Sequence, residues 1–332
     1  MAALIARRIA ALAAILLGLA TIVFVLQVII PADPARAIVG ASASPAVVAA
    51  KTHELGYDRP LPQRYVAFLG RLAQGDLQES LRSRRAVTSD LGDFGPATLE
   101  LAASAGAIAL ALGLVLGIAL AGGTRGSGVA RLLLVGGASL PVFVLAFGGI
   151  LLLYSRFGIL PASGRVSDTL DAPRGPTHFL LLDSLLAGRL NVFGDALRHL
   201  VLPATALALG PALALARTLR ASLDRVMQED HVRTARAKGL RERTVLVRHA
   251  LRNSLGPMLT MAGLQFGLML GGVIVVEEIF AWPGIGLYMA QAITYADFPA
   301  IAGVTLALGT VYVLVNFLVD LAQSWADPRI RV

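Results

Sequence analysis

The segment "VRTARAKGLRERTVLVRHALRNSLGP", residues 232–257, decides how the chain is read. It is basic, carries Gly239 near its middle and ends at Pro257. In isolation it suggests two short helices around a turn, the form of a DNA-reading motif. The surrounding chain argues otherwise. Of its 332 residues, 56% are hydrophobic and 15% charged, against roughly 25% charged in a soluble domain. A chain so short of surface charge is composed for lipid.

Cysteine is absent, which excludes disulfides, thiol catalysis and cysteine-based zinc sites. His53, His178, His199, His231 and His249 are scattered, with no pair at helical i, i+4 spacing. No metal and no cofactor are therefore expected in this chain. The net charge of +8 would suit nucleic acid, but basic loops held at the cytoplasmic face of a membrane give the same excess.

A membrane-crossing helix needs about 20 apolar residues, and six stretches qualify: 9–30, 97–121, 132–154, 199–216, 257–276 and 300–323. The fourth contains Pro203 and Pro211, which membrane helices tolerate when neighbours satisfy the freed carbonyls, and a kink is expected there. The first, preceded by Arg7 and Arg8 and followed by "ARA" at 35–37, resembles a secretory leader. Its apolar run exceeds the roughly 7–15 residues of such leaders, so a retained helix is expected.

The loop between the fourth and fifth stretches, 217–254, holds ten basic residues against four acidic, a net of +6. It is therefore assigned to the cytoplasm. With six spans, the amino terminus, the short loop bearing Arg125 and Arg131 and the tail "DPRIRV" fall on the same side. Residues 31–96 then lie outside as a cap segment, expected to be a small helical unit, and 155–198 is an outer loop that reads as irregular. Residues 97–332 form the remaining five-helix core. Small residues four apart, Ala105, Ala109, Gly113, Gly117 and Ala121 in the second span and Gly263, Gly267 and Gly271 in the fifth, mark close helix packing.

A segment tied beneath the bilayer at both ends could not enter a major groove, so no nucleic-acid partner is expected. Attraction to anionic lipid explains part of its charge but not its pattern. Ala235 and Ala237 stand close to Gly239, and Val245, Leu246, Ala250 and Leu251 recur near helical spacing. This gives an apolar face, a basic face and a small-residue tip suited to a partner's groove.

These residues resemble the coupling loop of ATP-binding-cassette importer permeases of the dipeptide, oligopeptide and nickel branch. Ala235 matches the second alanine of that motif, with Gly239, His249, Arg252–Asn253 and Pro257 following; Arg233 and Thr234 stand where the general motif has Glu and Ala. "IIPADPARAIVG", "LGYDRPLPQRYVAFL", "ATLELA", "EEIFAWPGIG" and "ADFP" extend the resemblance to the B-type member nearly end to end. Ala32 and "LQES" depart from it locally.

The resemblance implies an all-α membrane protein with six transmembrane helices of the type I importer-permease fold, in the bacterial inner membrane with both termini cytoplasmic. It implies no catalysis by this chain. The expected partners are a second, C-type permease subunit, two cytosolic ATPase subunits, an extracytoplasmic substrate-binding protein and membrane lipid. An ATPase-coupling role falls to Ala235, Arg236, Ala237, Lys238, Gly239, Leu240, His249, Arg252 and Asn253.

Residues 275–299 read as an outward re-entrant turn. Gln265, Glu277, Glu278 and Trp282 are candidates for the translocation path or its gate; Trp282 and Tyr288 could equally be interfacial anchors. Gln265 and Asn316 could also bridge helices, and Asp320 is expected to pair with a basic loop residue. Peptide is the expected cargo, with nickel, metal chelates or opines the alternative. An intramembrane hydrolase would need paired catalytic groups in the spans, and a stand-alone secondary transporter an internal repeat; neither pattern is evident.

Overall fold

The computed structural model describes residues 2–29, 36, 39, 40, 42–121, 140–173 and 175–326. The side chain of Asp320 lies outside the described residues. The elements are α1 (Ala2–Ile29), α2 (Pro45–Glu54), α3 (Leu61–Ala73), α4 (Val87–Ala119) and α5 (Val142–Gly149), which continues as a π-helical stretch over Ile150–Arg156. They go on with α6 (Leu180–Leu186), α7 (Leu190–Val226), α8 (Asp230–Ala237), α9 (Leu251–Ile279), α10 (Ile285–Thr294) and α11 (Phe298–Ala326). Among the described residues the only strand-like pairing is an isolated bridge between Glu79 and Ala86.

Among the described residues five stretches are long and apolar enough to cross a bilayer: Ala10–Ile29, Val87–Ala119, Leu190–Val226, Glu242–Ile279 and Phe298–Val319. The third expected span, 132–154, is described only from Leu140, and a shorter apolar helix runs over Val142–Arg156. The helices outrun the stretches predicted from hydropathy. α7 has 37 residues with Pro203 and Pro211 inside it. At about 1.5 Å per residue it is roughly 55 Å long, well beyond a hydrocarbon core of about 30 Å. Hydropathy marks only the apolar, membrane-depth part of such a helix.

The chain forms two compact units, residues 1–95 with 288–313 and residues 96–287 with 314–332. In the first, Ala20 and Val23 of α1 cluster with Phe68 of α3 and Ala302 and Leu306 of α11. Thr21 Oγ1 and Tyr65 Oη are 2.7 Å apart. Ser80 Oγ donates to Asp297 Oδ2 at 2.5 Å, and Tyr288 donates to Asp90 Oδ2 at 3.0 Å while stacking on Phe94.

The second unit is built around α7, whose inner face is mostly alanine and leucine. The small-residue stripe of α4 packs on it. A Cβ at Gly113 would lie 2.7 Å from Leu215 Cβ, and one at Gly117 would lie 2.8 Å from Leu219 Cδ2. Without aqueous exclusion to drive them together, membrane helices depend on such backbone approach for dispersion contact. The stripe of α9 is split: Gly263 lies against Val319 of α11, whereas Gly271 faces open space.

Candidate functional site

The basic segment is an elbow of short helices on a buried base. α8 ends in a Schellman arrangement: Gly239 N–H donates to the Arg236 carbonyl at 2.9 Å and Leu240 N–H to the Ala235 carbonyl at 3.4 Å. Gly239 has φ +76°, the left-handed conformation that this cap requires and that L side chains resist. Nothing lies within 4 Å of a Cβ built there, so backbone conformation, not space, selects glycine.

Beyond the turn, Glu242–Thr244 and a π-helical stretch, Val245–Ala250, lead into α9. Val232, Ala235, Val245 and Ala250 are buried in one cluster with Leu219, Leu223 and Val226 of α7. Polar bonds brace the outside: Arg236 Nε donates to Glu242 Oε1 at 2.6 Å and its Nη1 to the Met227 carbonyl at 3.2 Å. Asn253 Nδ2 lies 3.3 Å from His231 Nε2.

Ala235 therefore belongs to the base of the elbow, while Arg236, Ala237, Lys238, Gly239 and Leu240 form its exposed tip. Leu240 is 39% exposed, an apolar side chain on an otherwise charged surface. His249 is half-buried, and Arg252 and Asn253 are exposed on the flank.

The turn after α9 is a clamp rather than a loose loop. Glu277, fully buried, accepts hydrogen bonds from Thr98 Oγ1 at 2.6 Å, Gly286 N–H at 2.7 Å and Leu287 N–H at 3.1 Å. Thr98 Oγ1 in turn accepts the Ile285 N–H at 2.7 Å. One carboxyl group, directly and through Thr98, thus satisfies the first amides of α10, which no preceding helical turn can serve. A Cβ at Gly286 would meet Ile274 Cα at 2.6 Å, so glycine is needed for the approach.

Trp282 is 1% exposed and donates through Nε1–H to the Ala97 carbonyl at 2.9 Å. Tyr288 is 2% exposed. Burial within the protein excludes both as interfacial anchors. Of the other path candidates, Glu278 is exposed. Gln265 bonds within its own helix, Nε2 to Met261 Sδ at 3.7 Å, and is not brought next to Glu277.

Sequence reading missed Thr98, Glu100 and Arg165. Glu100 Oε2 accepts Arg165 Nη2 at 2.5 Å and its Oε1 accepts the Leu181 N–H at 2.9 Å. Arg165 also stands over the Trp282 ring, 5.6 Å from its centroid. A carboxylate inside the apolar run "ATLELA" was the available signal, since an intramembrane charge needs a partner. The partner came from the loop read as irregular.

Long apolar helices joined by small-residue contacts, with a braced basic elbow at one turn, define a multi-pass all-α membrane protein. Residues 109–332 match the family described as binding-protein-dependent transport system inner membrane component, and residues 1–95 match the N-terminal part of the corresponding membrane component. The chain belongs to this family, and its fold is the type I importer-permease fold.

Among curated relatives, it is 42% identical over 315 residues to the probable D,D-dipeptide transport system permease protein DdpB of Escherichia coli (strain K12), covering 94% of this chain and 93% of that one. It is 41% identical to the di/tripeptide transport system permease protein DppB of Pseudomonas aeruginosa (strain UCBPP-PA14), covering 100% and 99%. It is 38% identical to the dipeptide transport system permease protein DppB of Escherichia coli (strain K12), covering 98% of each.

Proposed function

We propose that this chain is one of two permease subunits that together line a path for short peptides across the bacterial inner membrane, coupled to ATP hydrolysis by separate cytosolic subunits. Near-complete coverage of relatives named for dipeptide and tripeptide transport supports the cargo class. Those names favour peptides over nickel. A substrate-binding protein delivers the cargo, as the family description implies.

The observation that carries the coupling role is the elbow: an exposed tip, Arg236–Leu240, on a base buried against α7. Movement of a partner seated on that tip reaches α7 and α9 without being lost in a soft linker, because packed interiors transmit displacement. The elbow and both termini face the cytoplasm. At the other turn, Glu277 fixes α10 to α4 and α9, so the 280–287 turn moves with these helices as a gate element. The burial of Glu277 and Trp282 leaves Glu278, exposed at the end of α9, as the candidate able to meet a partner or cargo.

The test is reconstitution with the cognate ATPases and binding protein. Leu240→Asp is expected to abolish ATPase co-purification and dipeptide uptake while the membrane subunit stays folded. Co-purification and uptake at wild-type levels would remove the elbow from the coupling path.

A further inference from the structure

The cap unit holds a cavity of about 610 Å³ that the transport reading does not use. Its position is set by α3, which lies along the last turns of α1. Tyr65 meets Thr21, and Phe24 packs on Tyr65 and Phe68 with ring centroids 5.2 and 5.7 Å away. The apolar span ends at Ile29, so α3 rides about 12 Å or less from the end of that span. Gln27, also in the cavity wall, is two residues, about 3 Å along the helix, from that end, so the cavity reaches the end of the span, where hydrocarbon gives way to headgroups.

The cavity wall combines apolar Phe24, Phe68 and Phe298 with cationic Arg64 and Arg71. The two arginines are seven residues apart on α3 and so share a face. Arg64 stands over the Tyr57 ring at 5.2 Å. Burial pushes the Tyr57 phenol above its ordinary range, while the nearby Arg71 and Arg64 guanidinium groups pull it the other way.

Arg71 Nε is buried with no hydrogen-bond partner. A buried guanidinium N–H left unpaired is costly, and the half-buried side chain leaves its terminal N–H groups to take an acceptor in the cavity. The carboxylates on the same wall do not supply it. Glu54 is engaged by Lys51 Nζ at 2.8 Å, Asp76 Oδ1 by the Gln78 N–H at 2.8 Å, and Glu79 is exposed. Arginine is suited to a phosphate oxyanion because its planar fork offers paired N–H donors.

We propose that this cavity is a phospholipid headgroup site, with the phosphodiester oxyanion held by Arg64, Arg71 and the Tyr57 hydroxyl and the glycerol backbone laid against Phe24 and Phe68. Occupied, it ties the cap to the bilayer at the end of α1.

The test uses the full-length chain, co-purified with its partner subunits in detergent, and follows thermal unfolding against short-chain phosphatidylglycerol. Dioctanoylglycerol, glycerol 3-phosphate and alanyl-alanine are the comparison ligands. Phosphatidylglycerol is expected to raise the unfolding temperature and dioctanoylglycerol to leave it unchanged. Arg71→Met is expected to raise the half-saturating lipid concentration about tenfold or more. Its lipid-free stability should be unchanged or higher, since Nε has no protein partner to lose.

Phospholipid retained by the complex, counted by native mass spectrometry in Tyr57→Phe, gives a second reading that removes only a hydroxyl; reduced retention is expected. Equal lipid response in wild type and Arg71→Met, or retention unchanged in Tyr57→Phe, would overturn the site. Saturation by glycerol 3-phosphate alone would place the oxyanion source in solution, and protection by alanyl-alanine would assign the cavity to cargo; either overturns the lipid assignment.

Discussion

Replacing Glu277 tests whether a single buried carboxyl group holds the 280–287 turn. In Glu277→Ala, the Gly286 and Leu287 N–H groups lose their acceptor, and Thr98 Oγ1 loses the group it donates to. Leaving a buried donor unpaired costs about 1–3 kcal/mol, so the two amides alone give about 2–6 kcal/mol. Glu277→Gln keeps the shape and one carbonyl oxygen for the amides; it trades only the Thr98 donor bond, for about 1–2 kcal/mol.

The assay is hydrogen exchange over a peptide spanning 280–290. If exchange follows local opening, each 1.4 kcal/mol is tenfold in rate. The alanine variant should exchange at least about 30-fold faster, and the glutamine variant about 5- to 30-fold faster. Exchange in Glu277→Ala within about threefold of wild type would refute the clamp, as would glutamine proving no milder than alanine.

Gly239→Ala should cost about 1–2 kcal/mol through left-handed backbone strain alone, with Gly239→Asn milder because asparagine tolerates that conformation; equal melting of alanine, asparagine and wild-type proteins would contradict this. Gly113→Ala drives a methyl group into Leu215 and should cost about 1–3 kcal/mol by overpacking. Gly194→Ala, with nothing within 4 Å, should instead be neutral or stabilising by up to about 1 kcal/mol, and thermal unfolding in detergent decides the order. Trp282→Phe removes the indole bond to the Ala97 carbonyl and should cost about 0.5–1.5 kcal/mol, read as a lower unfolding temperature; an unchanged one would show the indole bond to be dispensable.

Apolar runs of about 20 residues, proline tolerance and the basic 217–254 loop were legible along the chain because each is a local property. So was Gly239, since a helix cap needs a left-handed residue regardless of what lies around it. The inward side of the elbow was only half legible. Val245 and Ala250 showed their apolar spacing, but Ala235, read as part of the docking tip, proved to be base. Whether a small residue faces a partner or its own core depends on where α7 runs.

The clamp was not legible. Glu277 and Trp282 stood out as an acid and an aromatic near a span end, which equally suits an interface. Their partners, Thr98 and Ala97, are about 180 residues away in sequence, and Arg165 comes from a loop with no periodic signal. By itself the sequence determined that the chain is a multi-span membrane protein with a basic elbow, because lipid solubility and helix capping act within a few turns. Only the tertiary structure decided which polar groups are buried together, because in a low-dielectric interior a polar side chain is defined by the acceptor or donor brought against it, and chain order does not carry that information.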